Sequence, residues 1–330
     1  MGSGWAWVLV AGAALLPAAT GACSSRMGGN APTAAPVRGP STKSPPSGVS
    51  SVRCPAPSDP DERRASYSLP DTEVFRLDSA EVGDRYVLYV SLPRAYASRS
   101  ERFPVVLLLD ADYSFALAHQ IEQQLSDYAG FPELILVGIA YDHPSGEGRE
   151  HSHRIHRTRD YTPVYSETGY PEEIQRYSGG AERFLAFIER ELVPHIDRTY
   201  RTVLGDRTIV GHSYGALFAT WAILTEPELF RRAVLVSPSY WYADHWIFGY
   251  EAQRSQQLTS LPVAIYIAVG VKESIGRYNM VADARRMVQV LSSRGYRGLS
   301  IRGVIEGREH HYSIFPSGLT TGLRYVFGKL

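Results

Sequence analysis

Lysine is almost absent. Of the 34 basic residues in this 330-residue chain only Lys43, Lys272 and Lys329 are lysines, a bias that GC-rich codon usage accounts for. Neither sign of charge is in excess, since 34 Asp and Glu balance the 34 Lys and Arg. A nucleic-acid binder or a polybasic membrane-surface protein would carry a net positive footprint, so both classes are excluded. Cysteine is scarce too: Cys23 and Cys54 are the only two, too few for a disulfide-stapled scaffold or a Cys-rich zinc site. Internal repeats are missing. What remains, 44% hydrophobic and 21% charged residues, is ordinary globular usage and excludes wholesale disorder.

Residues 5–20 (WAWVLVAGAALLPAAT) form an uncharged apolar run, shorter than the roughly 20 residues a membrane-spanning helix needs. The small residues Ala19, Thr20, Gly21 and Ala22 follow it, as a signal-peptidase site requires. Residues 1–22 are therefore expected to be an export signal, although the usual basic start is missing. Thr20-Gly21-Ala22-Cys23 resembles a bacterial lipobox with Thr in place of the usual Leu, which would lipidate Cys23 and tether the protein to a membrane. The alternative is a Cys23–Cys54 disulfide in an oxidising compartment, and the two exclude each other because lipidation consumes the Cys23 thiol. Residues 23–65 are rich in Pro, Ser, Gly and Ala and cannot bury enough apolar area to offset their ordering entropy. They read as a flexible tether, holding a periplasmic, envelope-bound or secreted domain.

From 66 to 330 strands alternate with helices, which predicts one α/β domain with a mostly parallel central sheet of about eight strands flanked by helices. Thr72–Asp78 and Arg85–Leu92 are expected to pair antiparallel at one edge. Phe103–Leu109 is continuously apolar, as a strand buried on both faces should be. A helix over Ser114–Tyr128 and a strand over Glu133–Ala140 follow. A polar excursion then runs from Tyr141 to Gly180. Next come an amphipathic helix (Ala181–Tyr200), a strand (Arg207–Val210) and a helix from Tyr214. Strands at Arg232–Val236, Val263–Val269 and Leu299–Val304 and helices at Met280–Ser293 and Leu319–Phe327 complete the set.

The most informative stretch is Gly211-His212-Ser213-Tyr214-Gly215, which follows an apolar strand and opens a helix. A nucleophilic serine at the apex of such a corner needs small residues two before and two after, because strand and helix approach too closely there for a Cβ. At average composition the bare pattern arises by chance about 0.1 times in a chain of this length, and the strand-to-helix context lowers that further. The partners of such a serine follow in the order acid, then His. His245 precedes two further strands and comes too early. His310 and His311 follow the last strand, where the base belongs. Glu273, just past a strand end, is the candidate acid. Asp283 lies off the apolar stripe of its helix and reads as a solvated residue.

These residues resemble a known family, the enterochelin-esterase-like esterases of the α/β-hydrolase superfamily. The resemblance covers nearly all of 85–330 and is carried by RDYTP (159–163), GGAERFLAFIERELVPHIDRTYRT (179–202), GHSYGA (211–216), SPSYW (237–241), VGVKES (269–274) and EHHYSIFPSGLTTGLRYVF (309–327). It implies an α/β-hydrolase fold and a serine esterase. The family pattern His-x-Ser before an apolar pair and Pro selects His311 over His310, and Glu273 falls on the family's acidic position. By the same match the oxyanion would be held by the backbone N–H groups of Tyr214 and Asp112, with Ala111 standing where the family has Gly. No metal and no organic cofactor is implied.

For substrate contacts the aromatics Tyr240, Trp241, Tyr242 and Trp246 could form a stacking wall, and the excursion, with Arg159, could contact an anionic or catechol group. The run His151, His153, His156 suggests metal ligation, but the four arginines and four acids around it describe a polar loop better. The expected partner is a small-molecule ester, such as a siderophore lactone of the enterobactin type. An acyltransferase, in which a sugar hydroxyl replaces water, and an inactive envelope-tethered binding protein are the competing readings.

Overall fold

The computed structural model describes residues 8–10, 67–127, 130–143, 148–275 and 278–328. The expected leader (apart from 8–10) and the 23–65 tether, with Cys23 and Cys54, lie outside the described residues. The short strand β1 (Val8–Val10) runs parallel to the strand β11 (Ser300–Glu306) at one sheet edge. At the other edge β2 (Thr72–Ser79) and β3 (Asp84–Ser91) form the expected antiparallel pair, and β3 joins β5 (Ile135–Tyr141) antiparallel.

Between these edges every pairing is parallel. Strand β4 (Phe103–Leu108) lies between β5 and β6 (Thr202–His212), followed by β7 (Arg232–Val236), β8 (Ala264–Gly270) and β11. Successive side chains of a strand point to opposite faces, and in β4 both sets are apolar. Val105 and Leu107 enter one core cluster, Val106 and Leu108 the other. A sheet buried on both faces needs helices on both. Helices α1 (Ala111–Ser126) and α8 (Phe315–Val326) cover one side. The other side receives α3 (Ala181–Phe187), α4 (Val193–Thr199), α5 (Tyr214–Thr225) and α7 (Met280–Ser293). Residues 188–192 join α3 to α4 through a π turn, so the single helix expected over 181–200 is one helical run with a local underwound π bulge. Every residue from Tyr214 to Leu224 is buried, as expected of a helix that is apolar all round. No helix among the described residues is long and apolar enough to cross a membrane.

Two helices escaped the sequence. α2 (Arg149–Tyr161) lies within the polar excursion, and α6 (Tyr242–Arg254) within the aromatic segment. The inward face of α2 is mostly polar (His153, Thr158 and Asp160, with Tyr161 as its one buried aromatic), so hydrophobic periodicity carries no signal of it. In α6 the residues Ala243, Asp244 and His245 take left-handed conformations (φ 48°, 53° and 63°) that interrupt a regular pattern. Asp283 is likewise not solvated: it is buried, and Oδ1 lies 3.1 Å from His245 Nε2.

Helix α8 packs so closely on β7 and β8 that a Cβ at Gly322 would lie 2.5 Å from Val234 Cγ1 and 3.0 Å from Tyr266 Cδ1. Gly322→Ala is expected to destabilise the protein by about 1–3 kcal/mol despite alanine's better helix propensity. A urea midpoint equal to or above that of the wild type would refute this.

Candidate active site

Ligands bind in open α/β sheets beyond the carboxyl ends of the strands, and here the ends of β4, β6, β7, β8 and β11 all carry polar side chains. At the end of β6 the chain turns into α5 through Ser213, whose φ of 58° and ψ of −118° are unfavourable for a residue with a side chain. Such a conformation costs on the order of 1–3 kcal/mol and persists only where its surroundings enforce it. The Ser213 N–H donates to the Val236 carbonyl (3.0 Å) and the Ser239 N–H donates to the Ser213 carbonyl (3.2 Å), which stitches the corner to the end of β7. A Cβ at Gly211 would fall 2.4 Å from the carbonyl carbon of Gly215, so strand and helix could not meet there with any larger residue. The Ser213 hydroxyl is 3.1 Å from that of Ser239.

The ends of β8 and β11 bring the acid and the imidazole together. Val271 N–H donates to the Glu306 carbonyl (3.0 Å) and Lys272 N–H to the Glu309 carbonyl (3.2 Å), tying the two loops side by side. Glu273 is 5% exposed. Its Oε1 accepts from Ser237 Oγ and from the Gly270 N–H, both at 2.7 Å, and its Oε2 lies 2.7 Å from His311 Nδ1. Burial pushes the Glu273 carboxyl up, but the hydrogen bonds from His311, Ser237 and Gly270 outweigh it and hold it below its ordinary value. His310, by contrast, is exposed, and its Nδ1 accepts only the nearby Tyr312 N–H at 3.3 Å.

At the end of β4 the positive φ falls on Asp110 (54°), not on the following Ala111, which begins α1. The absence of the family's Gly at 111 therefore places no strain there. Asp112 follows in the first turn, where helix amides lack intrahelical acceptors; the Tyr214 amide, first in α5, is in the same position. The Asp112 carboxylate turns inward, 2% exposed, and accepts the Tyr141 N–H at 3.2 Å. Burial pushes it up to about 6, against the restraining Tyr141 N–H.

Ser213, His311, Tyr214 and Trp241 line one cleft of about 720 Å³, walled by Tyr113, Tyr278 and Tyr312. The other expected contacts fall elsewhere. Tyr240 is fully buried and bonded to the Thr220 hydroxyl at 2.8 Å, while Tyr242 is buried with its hydroxyl on the Val164 carbonyl. Trp246 stacks on Tyr250 at 5.0 Å. Of the expected aromatic wall only Trp241 faces the cleft; consecutive residues entering a helix cannot all present one face. Arg159 is also misplaced by the sequence reading. It binds Asp84 and Asp160 at 2.8 and 2.6 Å, and Asp160 in turn accepts the Tyr86 hydroxyl, so RDYTP anchors α2 to β3. Among the described residues no group of three or more His, Cys, Asp or Glu side chains is arranged to hold a metal ion.

Sequence reasoning missed Ser237, Ser239, Asp110 and Arg157. A pair of serines at the end of the strand adjacent to the one that carries Ser213 was the available signal for the first two.

The family described as Putative esterase matches residues 79–318. The chain is 28% identical over 276 residues to Ferri-bacillibactin esterase BesA of Bacillus subtilis, covering 79% of this chain and 91% of the relative. It is 28% identical over 188 residues to a Siderophore triacetylfusarinine C esterase of Aspergillus fumigatus, covering 55% and 60% of the two chains. An IroE-like serine hydrolase from Shewanella oneidensis superposes with a TM-score of 0.67 at 27% identity, covering 78% of this chain and 80% of the other.

Two outcomes follow from the geometry. Gly211→Ala should leave a folded protein whose Ser213 is no longer labelled by a fluorophosphonate probe at the wild-type rate; undiminished labelling would contradict the close approach. The second concerns acid. Burial holds His143 and His153 down at about 4 and His212 at about 3, against an ordinary 6.5. Between those values the unfolded chain binds protons that the native one does not, so stability is complete above about pH 6.5 and declines as pH falls toward 4. Asp112 and Glu122, whose burial keeps them protonated in the native state up to about 6 and about 7, oppose them with two protons against three. The denaturation midpoint should therefore drop from pH 7 to pH 5, and less steeply in His153→Gln; an unchanged slope in that variant would show that His153 is not buried neutral.

Proposed function

The chain belongs to the Putative esterase family and is a carboxylic-ester hydrolase, and on that premise we propose that it cleaves siderophore-type esters through Ser213, His311 and Glu273. The observation that carries this reading is the 2.7 Å contact between His311 Nδ1 and a buried, otherwise hydrogen-bonded Glu273, in the same cleft as a serine on a strand-to-helix corner. With Nδ1–H donating to Glu273, Nε2 is the basic nitrogen left for the Ser213 proton. In the resting arrangement that hydroxyl is shared with Ser239, and catalytic hydrogen bonds commonly tighten only once substrate is bound.

Ser213 Oγ attacks the ester carbonyl as His311 takes its proton. The tetrahedral oxyanion is met by the amides of Tyr214 and Asp112, one such donor being worth about 3 kcal/mol. His311 returns the proton to the departing alkoxide, and water activated by the same imidazole releases the acid. No cofactor takes part. The named activities of the relatives, ferri-bacillibactin and triacetylfusarinine C esterases, support a siderophore-type ester as substrate, and the aromatic walls suit a large aryl-bearing one. The apolar run at 5–20 supports export, with the 23–65 segment as a tether and Cys23 as a lipid site.

Ser213→Ala and His311→Ala should each lower turnover of an aryl ester by three or more orders of magnitude, and Glu273→Ala by one to three. His310→Ala should change it less than two-fold. If His310→Ala proves the more damaging of the histidine variants, the base is misassigned. Products from a panel of short acyl esters, feruloyl esters and apo or ferric siderophore lactones would test the substrate class, and turnover confined to the short esters would reject it.

A further inference from the structure

One stripe of α2 reaches both halves of the candidate site. His153, Arg157 and Tyr161 stand four residues apart and so share a helix face. All three meet Asp110. Tyr161 Oη accepts the Asp110 N–H at 3.0 Å, and His153 Nε2 lies 3.8 Å from Asp110 Oδ1. Arg157 makes the strongest contact, with Nε on Asp110 Oδ1 at 2.6 Å and Nη2 on Oδ2 at 3.0 Å. The same Nη2 also donates to the carbonyl of His212 at 2.9 Å. That carbonyl belongs to the residue before Ser213, and Asp110 is the left-handed residue that launches the first turn of α1 with Asp112. The Arg157 side chain is 18% exposed, and its guanidinium lies over the rings of Tyr161 and Tyr214, 5.4 and 5.5 Å from their centroids. Nearby, a Cβ on Gly215 would lie 3.3 Å from Asp110 Oδ2, so the two corners are already in contact.

We propose that Arg157 is a positioning residue that clamps the β4–α1 corner to the β6–α5 corner, fixing the Asp112 and Tyr214 amides relative to Ser213. This rests on the serine-hydrolase reading above. Both corners carry a non-glycine residue at positive φ, and each would relax without an external restraint. A planar guanidinium can hold a carboxylate bidentately while sharing a third bond with a carbonyl, whereas an ammonium is a point charge without that fork. Asp110 has no side-chain role in the chemistry; it is the handle by which α2 holds the corner. Although Arg157 also lines the cleft, its Nε and Nη2 donors are directed at Asp110 and His212.

The test is steady-state kinetics of Arg157→Lys and Asp110→Asn with a soluble aryl ester, alongside thermal melts and binding of an aryl trifluoromethyl ketone, whose adduct mimics the oxyanion. Asparagine tolerates positive φ, so Asp110→Asn probes the clamp even if Arg157→Lys folds poorly. The expected result for each is a 10- to 100-fold fall in kcat with KM within two-fold of wild type. The ketone should weaken by the same factor as kcat, and the double variant should be no worse than the weaker single one, because both remove the same restraint. A raised KM with kcat preserved would make Arg157 a substrate contact and overturn the proposal, as would unchanged kcat or additive losses. A wild type whose hydrolysis survives Ser213→Ala would instead be the failure of the serine-hydrolase reading, which takes this proposal with it.

Discussion

The site depends on how closely a β-strand and a helix can approach at one corner. Gly211 removes the side chain that would hold β6 and α5 apart, while Gly215 lets α5 approach Leu109 and Asp110 at the end of β4. The 2.4 Å separation a Cβ at Gly211 would face leaves no room for alternatives. Once that approach is made, the chain must reverse direction within a single residue. Ser213 takes the resulting conformation, with φ at 58°. The neighbouring strand enforces it through the Val236 carbonyl and the Ser239 amide. The strain is thus held by the sheet, and the sheet is held by burial on both faces.

The other groups arrive by the same logic at parallel strand ends. A parallel sheet aligns its carboxyl ends along one edge, so residues from β4, β6, β7, β8 and β11 that are as far apart in sequence as Asp110 and His311 become neighbours. Glu273 illustrates the electrostatics. A buried carboxylate is costly unless its oxygens are satisfied, and here Ser237, the Gly270 amide and His311 satisfy both of them. The same bonds fix the direction of the His311 ring. Since His212 is kept neutral by burial, its Nε2–H can donate to the His311 carbonyl (2.8 Å), a further restraint on the histidine loop.

The insertion between β5 and α3 is where the molecule departs most from an apolar packing scheme. Its helix α2 is fastened by charge: Arg159 to Asp84 and Asp160, and Arg157 to Asp110. Bidentate, largely buried arginine pairs demand their partners in one geometry, which suits an element whose task is orientation. The near-total use of arginine over lysine provides the planar donors these pairs require, whatever codon usage favoured them.

Local patterning alone was enough to specify the alternating strands, the edge hairpin β2–β3 (Thr72–Ser91), the all-apolar α5 and the glycine-flanked serine, because each is written in one short contiguous stretch of chain. The pairing of His311 with Glu273 was legible only as chain order and family likeness, and the contact of Ser239 with Ser213 not at all. Helix α2 was invisible because its buried face is mostly polar and its stabilising partners lie 47 to 75 residues away. Tyr240 and Arg159 looked like cleft residues by composition and neighbourhood, yet helix entry and ion pairing turned them inward. Local periodicity decides which segments become strands and helices. Which side chains meet, and therefore what chemistry they can perform, was decided only when the sheet brought distant strand ends to one edge.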